Sequence, residues 1–165
     1  MPTKQTIAAA KRDKREGKSA STQAGEFVKA EMDKIRKGEH GARSAKQAVA
    51  IGLSEARRAG VDLKPPAVGK TSEKSRKNAQ REYEKGQRHE PIDRTRSRAR
   101  VKALKKESTE AASPKALSRQ ATAAAKKRSS SDRSRAARQA AETKGPQERS
   151  AAARKAARTR AQRGR

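Results

Sequence analysis

The side chains with the most chemical potential in this chain are cations. Arg94, Arg96, Arg98, Arg100 and Lys102 alternate along one stretch, and Lys105 and Lys106 follow. Further on come Lys126, Lys127 and Arg128, then Arg133, Arg135 and Arg138, then Arg154, Lys155, Arg158, Arg160, Arg163 and Arg165. Their chemistry is recognition of anions. A guanidinium grips a phosphate through two parallel N–H bonds, whereas an ammonium offers only a point charge. Residues 65–165 hold 18 arginines and 12 lysines against 10 acids, a net of +20 out of +27 for the whole chain. Residues 149–165 carry seven cations and no acid. Solubility needs far less charge than this, and such self-repulsion calls for a polyanion. Each phosphate neutralised releases condensed counterions, so nucleic acid is the expected partner and binding falls steeply with salt.

Base reading has little support. Phe27 and Tyr83 are the aromatic residues of the chain, which leaves no stacking platform for single strands and no aromatic sheet motif for RNA. Arg163-Gly164-Arg165 resembles the centre of an AT-hook but lacks its flanking prolines. Catalysis has less support still. His40 and His89 lie far apart in polar turns and read as surface residues. There is no Gly-rich phosphate loop, HExxH pair or nucleophile elbow. With no cysteine, a disulfide framework and a cysteine zinc site are excluded. The sequence therefore predicts a non-enzyme without cofactor or metal. No apolar run reaches the length of a signal-peptide core or a membrane span, so a cytoplasmic protein without membrane contact is expected.

The elements that position these cations divide sharply. Side chains larger than alanine among the apolar types number twelve from Met1 to Val68 and five from Tyr83 to Leu117, with none beyond. Residues 1–20 read as a short, mostly solvated basic helix, capped by Thr3 and stopped by Gly17. Residues 21–66 read as a helical hairpin. Phe27, Val28, Met32 and Ile35 follow helical spacing, with 28, 32 and 35 on one face. A Gly-Glu-His-Gly turn follows at Gly38–Gly41. The second helix opens on a Ser44/Gln47 capping box. Its packing face comprises Ala48, Val49, Gly52, Leu53 and Ala56, and the four-residue recurrence of Ala48, Gly52 and Ala56 invites close approach of a partner helix. Gly60 ends it after Arg57 and Arg58. Glu55 is expected to pair with Arg58 at i+3. Val61 and Leu63 should fold back before Pro65-Pro66.

Residues 67–165 read as a low-complexity arm. Stretches 71–85, 93–107, 114–128, 132–144 and 150–163 are rich in helix formers. Breaks are expected at Gly86, Pro91, Ser113-Pro114, Ser129–Ser131 and Gly145-Pro146, and Ser150 is a candidate cap for the last stretch. None has a wide apolar stripe, so each is marginal alone in water. The predicted fold class is all-α: a small N-terminal hairpin followed by a largely disordered or marginally helical basic arm without a core.

The segment from Ser44 to Gly60, SAKQAVAIGLSEARRAG, resembles the signature of a family of small basic bacterial proteins of unknown function. That family carries a Lys-Gln-Ala-x-Ala-Ile-x-Leu-Ser-Glu-Ala-Arg-x-Ala-Gly segment after a charged helix and glycine turn, here Glu31 to Gly41. The resemblance covers about residues 1–66 and implies a bacterial source but no activity or site. The tail is similar in composition to linker-histone tails. The expectation is a histone-like or nucleoid-associated protein that coats the phosphate backbone of nucleic acid, DNA foremost, without reading sequence, and that self-associates through the hairpin. The alternative is an interaction module at residues 21–63 with a solubilising or steering tail.

Overall fold

The computed structural model describes residues 2–163. The described residues contain seven α-helices and one 3-10 turn: α1 (Lys4–Arg15), α2 (Ala20–Arg36), α3 (Ala45–Arg58), α4 (Glu73–Gln87), α5 (Arg94–Leu104), the 3-10 turn (Thr109–Ala112), α6 (Pro114–Lys126) and α7 (Ser130–Arg163). The contacts divide the chain into two compact units, residues 1–120 and residues 121–165.

Local chemistry sets the boundaries. The hydroxyls of Thr3, Ser19, Ser44 and Ser72 each accept the backbone N–H three residues on, as the Asp93 carboxylate does for α5. Such caps satisfy donors that the first turn leaves orphaned. At α3 the box closes in a shifted form: Gln47 N–H donates to Ser44 Oγ at 3.2 Å, while the N–H that donates to Gln47 Oε1, at 2.8 Å, is that of Arg43, one residue before the cap. Ser113 caps α6 through the Ala116 N–H at 3.1 Å, with Pro114 at the first helical position.

The first unit is built around the α2–α3 pair. Val28, Met32 and Ile35 meet Ala48 and Val49 in one apolar cluster, where Met32, Ile35 and Ala48 are buried. Phe27, Ala24 and Ala56 form a second with Ala10 of α1 and Val61, with Leu53 and Leu63 packed alongside. The four-residue stripe on α3 is covered within the chain. A Cβ on Gly52 would stand 2.7 Å from the Cα of Val28, so the two backbones touch at that point. Helix α1 is less solvated than expected, since Thr6, Ala10 and Asp13 are buried. The return of residues 61–64 onto the pair is fixed by Arg57, whose Nε donates to the Leu63 carbonyl at 3.0 Å.

Beyond Pro66 the structure overturns the expected coreless, largely disordered arm. Residues 73–117 fold onto the hairpin. Helix α4 ends at Gln87, one residue past the break expected at Gly86, and Gly86 also packs against the Arg57 carbonyl, where a Cβ would overlap that oxygen. The Arg58 guanidinium donates to the Pro91 carbonyl at 2.8 Å, and the Tyr83 hydroxyl donates to Asp62 Oδ1 at 2.6 Å. Further on, the Gly41 N–H donates to the Leu104 carbonyl at 2.9 Å, the Ala42 N–H to the Ser108 carbonyl at 3.0 Å, and Arg36 Nε to the Ala112 carbonyl at 3.2 Å. Leu104, Ala111 and Ala112 are buried, and Leu117 packs against the first cluster. The docking runs through hydrogen bonds and small side chains. Each bond is worth about 0.5–1.5 kcal/mol net, and a count of bulky apolar residues records none of them.

In the second unit the arm is helical rather than disordered. The Asp132 N–H donates to Ser129 Oγ at 3.1 Å at its start. Alanine-rich composition favours helix at low entropic cost. The run is interrupted at Gly145, whose φ of 66° and ψ of 170° are non-helical, with Pro146 next in the chain. The last stretch starts at this break, earlier than a Ser150 cap would place it, and the Ser150 hydroxyl instead donates to the Pro146 carbonyl at 3.0 Å.

Candidate nucleic-acid interface and a buried charge cluster

The cations singled out in the sequence lie on three helices and the short links beside them. On α5 and its C-terminal turn, Arg94, Arg96, Arg98, Arg100, Lys102, Lys105 and Lys106 are all exposed. Spacing by two residues scatters the first five around the helix, because successive positions are about 200° apart. Lys126, Lys127 and Arg128 are exposed at the end of α6, and Arg133, Arg135, Arg138, Arg154, Lys155, Arg158 and Arg160 are exposed on α7. Arg135 pairs with Asp132. The others named on α7 have no ionic or hydrogen-bonding partner among the described residues. The side chain of Arg163 and all of Gly164 and Arg165 lie outside the described residues, and with them the Arg-Gly-Arg feature. The structure thus keeps the cations at the surface on ordered helices.

The sequence did not reveal a second feature. Glu31 is 1% exposed, and neither carboxylate oxygen has a hydrogen-bond partner. Its neighbours stand at ionic distance: Lys34 Nζ at 3.5 Å from Oε2 and His40 Nε2 at 3.5 Å from Oε1. Lys34 Nζ is also 3.3 Å from Glu55 Oε2, so Glu55 reaches across to α2, while Arg58, its expected i+3 partner, stands 4.0 Å from Glu82 Oε2 instead. His40, read as a surface residue, is buried, with Nδ1 3.1 Å from the Gly41 carbonyl. Because that carbonyl only accepts, Nδ1 carries the proton. The other ring nitrogen, Nε2, then faces Glu31. Burial first, and then the charge of Glu55, push the Glu31 carboxyl above its ordinary value, against the pull of His40 and Lys34.

A signal for this cluster was present. Phe27, Glu31 and Ile35 recur every four residues and are the largest fully buried side chains, so the carboxylate sits on an apolar face where the periodicity predicts a hydrophobe. The cluster borders a cavity of about 560 Å³, with Ile51, Ser54 and Leu104 among its lining and Arg96 and Arg100 of α5 at its side.

A pH dependence follows. Since the folded-state value of Glu31 lies above its unfolded value near 4.5, the protonated form is favoured by folding. Its contribution is complete below the unfolded value and is lost as pH rises through the raised one. Glu31→Gln keeps the shape and removes the buried charge. The variant is expected to melt at or above the wild-type temperature at pH 7 to 8 and to lose part of the pH slope. Thermal melts from about pH 4 to 8 check this; a variant equally destabilised at every pH would contradict it.

Residues 15–66 match the model of a family of unknown function, DUF6496. The matched segment contains α2, the glycine turn and α3, and with them Glu31, Lys34, His40 and Glu55. The cationic helices α5 and α7 lie beyond it. No curated protein and no solved structure matches the chain. Among the described residues no group of His, Asp and Glu side chains is arranged to hold a metal ion, and no helix is long and apolar enough to cross a membrane.

Proposed function

We propose that the protein binds nucleic acid through its phosphate backbone without reading bases, in the manner of a histone-like, nucleoid-associated protein. The observation that carries this reading is the row of exposed cations on α7 with no acidic partner, Arg133, Arg138, Arg154, Lys155, Arg158 and Arg160. Unpaired guanidinium groups on an ordered helix bind phosphate without first giving up an internal ion pair. Alanine and serine between them keep the helix slim, and alanine offers the bases no hydrogen bond. A membrane surface fits less well, because an interfacial helix needs bulky apolar residues opposite its charges, and none follows Leu117. The Ala48, Gly52 and Ala56 face is covered by α2, which removes the main argument for an interaction module docking there.

Fluorescence anisotropy against unrelated duplexes over a salt series tests the reading. Affinities should agree between sequences to within a few-fold. Log affinity should fall linearly with log salt, with a slope of about −5 or steeper if six phosphates are engaged. Absent binding at low salt, or binding insensitive to salt, rejects it.

A further inference from the structure

The arm helix is charged on every side. Between residues 146 and 163, Arg149 and Arg160 fall within about 20° of each other on the helical circumference, while Arg154 and Arg158 fall about 140° and 180° away, with Lys155 beyond them. Between residues 130 and 144, Arg133, Arg138 and Arg135 stand at about 0°, 140° and 200°. All are exposed. A helix that lies on a flat anionic surface needs its cations on one face, and those opposite gain little. A helix flanked by phosphates on two sides uses both.

The major groove of B-form DNA offers that arrangement. It is about 12 Å wide, and a helix with its side chains is about 10–12 Å across, at the slimmer end when the residues between the cations are alanine and serine. The minor groove, about 6 Å wide, admits no helix, and the major groove of A-form RNA is too deep and narrow. Length adds a second constraint. The two stretches are about 22 and 27 Å long, while the groove completes a turn in about 34–36 Å. A straight rod covering both would leave the groove. Gly145, with its positive φ, and Pro146 interrupt the helix between them, where a chain following the groove must change direction.

We propose that the two halves of α7 lie in the major groove of B-form DNA, with Arg149 and Arg160 reaching phosphates on one wall and Arg154 and Arg158 those on the other. This rests on the backbone-binding reading above. The test uses the full chain and a duplex of about 24 base pairs, slightly over two turns, made either as DNA or as RNA of the same sequence. At about 0.15 M salt, DNA should bind about tenfold or more tightly. Methyl green, a major-groove ligand, should compete, and netropsin, a minor-groove ligand, should not. The double variants R149Q/R160Q and R154Q/R158Q should each lower the salt slope by about 1.8 and weaken DNA binding to a similar degree. Far-UV circular dichroism establishes that both remain helical. Equal or tighter binding to RNA, competition by netropsin alone, or an effect confined to one pair overturns the groove placement while leaving backbone binding intact. Loss of salt-dependent binding to both polymers removes the two together.

Discussion

Removing residues 121–165 is expected to weaken duplex binding about 100-fold or more at near-physiological salt and to flatten its salt dependence. The removed unit carries 14 cations against 3 acids, a net of +11. The remaining 31 cations stand beside 15 acids, and many are already engaged: Lys18 with Asp13 and Glu16, Lys34 with Glu31 and Glu55, Arg36 with Asp33. An engaged cation must exchange one anion for another, so its net gain on phosphate is small. The boundary matters. A cut at residue 94 would also remove Leu104, Ala111 and Ala112, which are buried within the first unit, and would confound lost contacts with lost folding. A cut after Gln120 keeps that compact unit whole. The check is anisotropy on the full and shortened chains across a salt series, with urea unfolding of the shortened chain alongside. A shortened chain that binds with undiminished slope would move the interface to α5 and contradict a binding role for α7.

The largest effect on stability is expected from Gly86→Val and Gly41→Val. A Cβ at Gly86 would overlap the Arg57 carbonyl, and one at Gly41 would overlap the Glu107 carbonyl. In both cases the obstacle is backbone, which cannot rotate away as the end of a long side chain can. The first substitution should force α4 off the end of α3, and the second should force residues 104–112 off the glycine turn. Overpacking of this kind costs about 1–3 kcal/mol or more, a large fraction of the total stability of a small domain. Gly25 serves as the control. It lies within α2, and a Cβ there would meet no atom within 4 Å, so Gly25→Ala should be neutral or stabilise by up to about 1 kcal/mol. Urea midpoints of the three variants decide the matter. Gly86→Val and Gly41→Val variants as stable as the wild type would show that the docking of α4 and of the 104–112 segment contributes little.

The sequence was legible wherever local chemistry decides the structure. Thr3 and Ser44 cap, Ser113-Pro114 starts a helix and Gly145-Pro146 interrupts one, because each depends on residues within a few positions of it. The packing of α2 on α3 was also readable, since Phe27, Met32 and Ile35 keep helical spacing. The docking of residues 73–117 was not. It relies on carbonyl acceptors, which every residue has, and on Gly41 and Gly86, which look like turn formers until their neighbours are known. Glu31 was missed for a related reason. A charged residue in a polar-looking sequence reads as solvated, and only its register with Phe27 and Ile35 gives it away. The cations of the candidate interface were visible from composition alone, while their distribution around ordered helices required the arm to be helical.

Alanine dominates the buried residues of both apolar clusters, with Phe27, Ile35, Met32 and Val61 as the larger exceptions. Unfolding such a core hydrates little hydrocarbon per residue. The heat-capacity increment should therefore fall below the roughly 12–15 cal/mol/K per residue of ordinary domains. The stability curve flattens accordingly, so calorimetry should find a broad, low-enthalpy transition and a fold whose free energy changes slowly across the growth range of its host.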